Sequence, residues 1–258
     1  MATHYQDTIV LFGDSLTQMG WDPELGGIGA RIADLYARKL DVLNRGYSGY
    51  NTDWALPLLK QIIVKREFQP HAARVRLLTI WFGANDACLP EFRQHVPISR
   101  FSENLTTMIR AIREPESPWY SPEMRVFLIT PPPIHIPSMR ADLKPTRTFD
   151  TTESYAREVR NVGKREGVPV VDAWSRIWEA AKKDREAVKA FFTDGLHLNE
   201  AGYKVVFSAL AETLTQNYPE LGPENLRSVF PLWDYFHSHT VEEFESENWL
   251  DKKSRAEE

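Results

Sequence analysis

The sequence predicts an α/β fold, a parallel sheet with helices on both faces. Three observations carry that expectation. Five short apolar, β-branched runs punctuate the chain. The segments between them are longer and carry apolar residues at helical spacing. The 258 residues suffice for one large α/β domain, or two small ones at a stretch. Strands alternating with helices favour a parallel arrangement buried on both sides, and right-handed crossovers leave few topologies.

The first strand is expected at Thr8–Phe12. What precedes it, "MATHYQD", has no charged segment followed by a long apolar stretch, so it reads as a lead into the strand and not as a signal peptide. Ile28, Ile32, Leu35, Tyr36 and Leu40 mark the first helical face, before a second strand at Asp41–Asn44. Trp54, Leu58, Leu59, Ile62 and Ile63 mark the next helix, before a third strand at Arg74–Trp81. Phe101, Leu105, Met108, Ile109 and Ile112 follow, then a strand at Arg125–Thr130. A weaker face of Tyr155, Val159 and Val162 precedes the fifth strand, Val168–Asp172. Ala201, Val205, Phe207, Leu210 and Leu214 mark the last helix.

Two stretches break the alternation. Residues 113–123, "REPESPWYSPE", are punctuated by proline and read as a surface connection. Residues 131–148, "PPPIHIPSMRADLKPTRT", are too long for an idle turn and are expected to form a lip of a substrate pocket. Residues 1–217 are expected to form the working domain, with 218–258 as an extension. Its aromatics Phe230, Trp233, Tyr235, Phe236 and Trp249 suggest docking onto the domain or onto a subunit partner, and only the second would make a homo-oligomer. The final "DKKSRAEE" is expected to be loose.

Charge and composition narrow the function. The net charge is −5 and no basic block occurs, which argues against nucleic acid as a partner. No run approaches the roughly 20 apolar residues of a membrane span. A single cysteine, Cys88, excludes an intrachain disulfide. A cytoplasmic protein without cofactor is the expectation.

In open parallel sheets ligands bind beyond the carboxyl ends of the strands, so residues just after a strand are the candidates for chemistry. "FGDSLTQ" puts Ser15 at the end of the first strand, where a neighbouring base would activate its hydroxyl. The plainer reading is that Asp14 or Ser15 caps a helix. "TDGLHLNEAGY" holds Asp194 and His197 three residues apart before the last helix, close enough for the carboxylate to orient the imidazole. Here the plainer reading is a turn held by Asp194, a surface histidine and an Asn199 cap. "GANDACLP" puts Asn85, a side-chain donor, after the third strand, and "NRGYSGYNTDWAL" puts Gly49 after the second. Either could serve a turn alone or supply a hydrogen bond to an oxyanion. All four pieces sit in loops, and the three that follow strands one, two and three share one edge of the sheet, a convergence that a reaction site requires.

In order and spacing these four segments resemble the blocks of the SGNH, or GDSL, hydrolase superfamily over residues 7–217. "NRGYSGYNTDWAL" and "PENLRSVFPLWDYF" resemble its isoamyl acetate-hydrolysing esterase group. The resemblance implies a flavodoxin-like three-layer α/β/α sandwich with sheet order 2-1-3-4-5. It also implies a Ser15 nucleophile, a His197 base and an orienting Asp194. The implied oxyanion donors are the Ser15 and Gly49 N–H groups and the Asn85 side chain. Short acetate-type esters are the implied substrates, cleaved through an acyl-enzyme. Trp21, Trp54, Trp81 and Phe82 lie near the site loops and could line an apolar pocket, although burial is the commoner fate of such aromatics. An acyltransferase or deacetylase using the same serine, or a binding module on the same sheet, are the competing readings. Asp234, His237 and His239 stand close together, but no further cluster completes a metal site, and none is expected. Cys88 is expected as a small buried filler.

Overall fold

The structure is a computed structural model that describes residues 6–247. The expectations for "MATHY", Trp249 and "DKKSRAEE" lie wholly or partly outside the described residues. Five strands alternate with helices: β1 (Thr8–Gly13), α1 (Ser15–Gln18), α2 (Ile28–Leu35), β2 (Asp41–Gly46), α3 (Thr52–Ile62), β3 (Val75–Trp81), α4 (Ile98–Arg113), β4 (Arg125–Ile129), α5 (Phe149–Glu166), β5 (Val170–Val171), α6 (Ala173–Ala180), α7 (Glu200–Asn217) and α8 (Val241–Ser246). The sheet is parallel throughout and runs β2-β1-β3-β4-β5.

The period of two along β1 sorts the core into layers. Ile9 and Leu11 point to one face, where they join Ile28 and Ile32 of α2, Ile177 of α6, and Tyr203, Val206 and Leu210 of α7. Val10 and Phe12 point to the other, against Leu59 of α3, Leu105 and Met108 of α4, and Tyr155 and Val159 of α5. Strands buried on both faces need to be apolar throughout, which is how β1 and the second half of β3 read. The result is a three-layer α/β/α sandwich.

Three local expectations change. The fifth strand keeps only two residues, because Asp172 leaves the ladder to cap α6, accepting a hydrogen bond from Ser175 N at 3.1 Å. Helix α6 itself is an addition to the predicted elements; it is only eight residues long. On α7 the buried stripe is Tyr203, Val206, Leu210 and Leu214, whereas Ala201 is exposed and Val205 and Phe207 are half-buried. Tyr203 wins the inward position because its hydroxyl donates to Leu16 O at 2.8 Å, satisfying the polar end of a fully buried ring.

The extension docks through Tyr218, whose ring stacks on Phe127, and through aliphatic residues further on. Leu221 and Val229 are buried, Tyr36 Oη donates to Leu221 O at 2.6 Å, and Val229 N donates to Arg38 O at 2.8 Å. Trp233 is 74% exposed, and Phe230, Tyr235, Phe236 and Phe244 pack largely on one another. His237 meets Trp233 edge-on and His239 stacks on Tyr235. Among the described residues no helix is long and apolar enough to cross a membrane.

Candidate active site

The register brings the ends of three strands level: Gly13 of β1 pairs with Gly46 of β2 and Trp81 of β3. The loops that follow therefore share one edge of the sheet. A β-carbon at Gly13 would clash with the Thr17 side chain, and one at Gly46 with the backbone of Gln18. Two bare glycines thus let α1 start immediately beyond the sheet edge. Asp14 caps this short helix, its Oδ1 accepting from Leu16 N at 2.9 Å. Ser15 opens the first turn and is only 5% exposed. Asp14 thus caps the helix that Ser15 opens, as the plainer reading expects.

The acid–histidine turn comes from the other end of the chain. Asp194 Oδ1 accepts from Leu196 N at 3.0 Å and His197 N at 2.8 Å, which winds residues 194–197 into a tight loop. Gly195 allows the winding with φ +81°. A β-carbon there would collide with the carbonyl of His135, while Gly195 O accepts from His135 N at 2.8 Å. Residues 131–148 thus press against this turn with Ile134, His135 and Met139 buried. A Phe192–Leu198 bridge closes the loop's base, and Asn199 caps α7 by accepting from Gly202 N at 3.1 Å.

The two pieces meet. His197 Nδ1 lies 2.7 Å from Asp194 Oδ2, and His197 Nε2 lies 2.9 Å from Ser15 Oγ. A carboxylate only accepts, so Nδ1 carries the proton and Nε2 is left to accept from the serine hydroxyl. Burial alone would raise the Asp194 carboxyl. The hydrogen bonds from the His197 ring and from the His197 and Leu196 N–H groups outweigh it and hold Asp194 well below the usual carboxylate range. Asp14 behaves in the opposite way. Burial and the nearby Asp86 charge push it up to about 7, against the opposing pull of the Leu16 hydrogen bond, His197 and Arg147. Asp14 Oδ2 has no hydrogen-bond partner among the described residues. Asp86 is also pushed up by burial, to about 6, although its carboxylate accepts from Thr52 N and Oγ1 at 2.8 and 2.5 Å.

Gly49 and Asn85 stand on the two neighbouring loops. Gly49 has φ +82° in the turn that leads into α3, whose cap Asn51 accepts from Trp54 N at 3.1 Å. Asn85 is buried and donates from Nδ2 to Tyr50 O at 2.9 Å, tying the two loops together. The aromatics separate. Phe82 is 1% exposed and packs edge-on against Phe12, and Trp81 donates from Nε1 to Thr130 O at 3.1 Å. Both are core residues with no face to offer a ligand, which corrects the pocket expectation for them. Trp21 is half-buried against Gly29, and Trp54 is 37% exposed beside Tyr50. Cys88 is buried. Arg147 is a buried arginine near the end of the proline-rich 131–148 segment, in no motif; it donates to Cys88 Sγ at 3.0 Å. Only its place in the fold marks it.

The family model described as GDSL-like Lipase/Acylhydrolase family matches residues 11–205. A GDSL esterase/lipase of Arabidopsis thaliana, At5g62930, is 37% identical over 90% of this chain and 92% of its own. The isoamyl acetate-hydrolyzing esterase 1 homolog of Bos taurus is 38% identical over 87% of this chain and 86% of its own. Among solved structures, a lipase/acylhydrolase from Enterococcus faecalis superposes with a TM-score of 0.58 at 25% identity, covering 86% of this chain and 98% of that one. An acetyl-xylooligosaccharide esterase variant from Geobacillus shares the fold, with a TM-score of 0.59 at 21% identity over 83% of this chain and 96% of that one.

Proposed function

The chain belongs to the GDSL-like lipase/acylhydrolase family and is a carboxylic ester hydrolase, and on that premise we propose that it cleaves short-chain, acetate-type esters with Ser15, His197 and Asp194. The observation that carries the reading is the continuous hydrogen-bonded chain from Ser15 Oγ through both ring nitrogens of His197 to Asp194 Oδ2. Ser15 Oγ attacks the ester carbonyl carbon while its proton passes to His197 Nε2. Asp194, kept ionised by its three hydrogen bonds, steadies the imidazolium that forms. The carbonyl oxygen becomes an oxyanion facing the Ser15 N–H, the Gly49 N–H and Asn85 Nδ2. The Asn85 amide has two N–H bonds; one is committed to Tyr50 O and the other is left for the oxyanion. His197 then protonates the leaving alcohol, and water releases the acid from the acyl-enzyme.

The acetate preference rests on the kinship with isoamyl acetate-hydrolyzing esterase homologues. Trp54, the exposed aromatic on the Gly49 side, is the candidate wall for the alcohol or acyl group. The 11–205 match supports reading residues 1–217 as the catalytic unit and 218–258 as its extension.

The decisive experiment is covalent labelling with a fluorophosphonate followed by peptide mapping. The label is expected on Ser15, and its rate should collapse in His197→Ala. A label on another serine, or none, ends the proposal. A p-nitrophenyl ester series should show kcat/KM falling as the acyl chain lengthens beyond a few carbons; a rise toward long chains would overturn the substrate assignment.

A further inference from the structure

Gly49 lies in open space. A β-carbon placed there would find one heavy atom within 4 Å, Gln94 Nε2 at 3.6 Å. A glycine with φ +82° and so few neighbours has wide conformational freedom, a poor property for a donor that must hold one direction. Its freedom is removed from outside. Gln94 Nε2 donates to Gly49 O at 2.8 Å. Gln94 O in turn accepts from Asn51 Nδ2 at 3.0 Å, so Gln94 grips this turn at two points. Tyr50 N closes the turn onto Tyr47 O at 3.1 Å, and Asn85 holds Tyr50 O.

Gln94 is itself anchored. It lies in the loop between Asp86 and α4, half-buried, and the loop is pinned by Val96 N donating to Asp86 O at 3.2 Å and Leu89 N to Thr146 O at 2.7 Å. Its Oε1 receives Cys88 Sγ at 3.8 Å, and Cys88 Sγ receives the buried Arg147 Nη2 at 3.0 Å. A side chain outside all four sequence blocks thus links the buried interior to the one oxyanion donor that has no side chain of its own.

We propose that Gln94 is a positioning residue for the oxyanion pocket. By fixing Gly49's own carbonyl it keeps the Gly49 N–H aimed at the charge that develops in the transition state. This rests on the reading of Gly49 as an oxyanion donor. Because the ground-state ester carries no such charge, Gln94 acts on kcat and leaves KM alone.

The test uses the full chain with a p-nitrophenyl acetate assay and thermal melts. Gln94→Met keeps the length and removes the donor; Gln94→Glu keeps the shape and replaces the donor with a carboxylate against Gly49 O. Both should lower kcat about 10- to 100-fold, as a slightly misplaced donor does, with KM within about twofold of wild type and Tm unchanged. Asn85→Ala, run in parallel, reports on the oxyanion pocket itself and should lose about 10²- to 10³-fold. If Asn85→Ala is crippled and both Gln94 variants turn over at the wild-type rate, the role assigned to Gln94 is wrong. It is equally wrong if the Gln94 variants lose activity through a raised KM or a fallen Tm. If Asn85→Ala keeps the wild-type rate, the oxyanion pocket is wrongly located and the assignment of Gln94 falls with it.

Discussion

The Ser15 turn and the Asp194–His197 turn each carry an aspartate, and the two carboxyls are driven in opposite directions. Asp14 is fully buried, receives one backbone hydrogen bond and faces a second buried acid, Asp86. Asp194 keeps 34% of its side chain exposed and receives three hydrogen bonds, one from the imidazole it serves. Enclosure with too few donors favours the protonated acid; donors in sufficient number favour the anion. The neighbouring turns thus hold a carboxyl that leans toward neutrality and a carboxylate that stays charged, from the same residue type.

That contrast can be broken from the larger effect to the smaller. Ser15→Ala removes the group both turns converge on and should cost on the order of 10⁶ in kcat, measured by steady-state ester hydrolysis. Asp194→Asn keeps the shape but loses the charge and can present the imidazole with the wrong tautomer. A drop of about 10⁴ in kcat is expected, with KM little changed. A drop under tenfold would mean that the histidine is oriented by something else. Asp14→Asn should do little to kcat, less than about tenfold, because an asparagine oxygen still caps Leu16. Its effect should appear in stability.

The sign follows from the raised carboxyl. Between its ordinary 3.8 and about 7, the folded chain holds a proton that the unfolded chain has released. Asp14 therefore makes stability fall as pH rises through that window and level off above it. In Asp14→Asn the fall of Tm between pH 5 and 8 should flatten, and Tm at pH 8 should rise on the order of 5 °C. An unchanged Tm profile would show that Asp14 is not the buried acid that titrates. Asp194 has the opposite sign: depressed in the fold, it stabilises above the usual carboxylate range, and that stability is lost as pH falls.

The alternation of strands and helices was legible from local apolar runs, whereas the strand order followed only from the family resemblance, and the contact between Ser15 and His197 spans 182 residues of sequence. The first apolar run ends at Gly13, and the Asp194–His197 pair is closed by its own turn. What escaped reading depends on polar groups satisfied at long range. Tyr203 points inward because Leu16 O, 187 residues away in sequence, takes its hydroxyl proton. Thr52 is buried because Asp86 accepts from it twice. Gln94 stands in an irregular loop without periodicity, so only the distance to Gly49 O reveals its task. Phe82 and Trp81 follow the opposite rule: near the site in sequence, they are drawn into the core by their size and, for Trp81, by an indole partner at Thr130.

The seat of residue 195 against the main chain of His135 has a genetic consequence. A codon change there that adds even one methyl would evict the acid and the base together, because both ride on the same few residues. On the proposed mechanism, Ser15 would then be deprived of its proton acceptor. On that mechanism, substitutions at Gly195 should inactivate through the His135 main chain that they would displace.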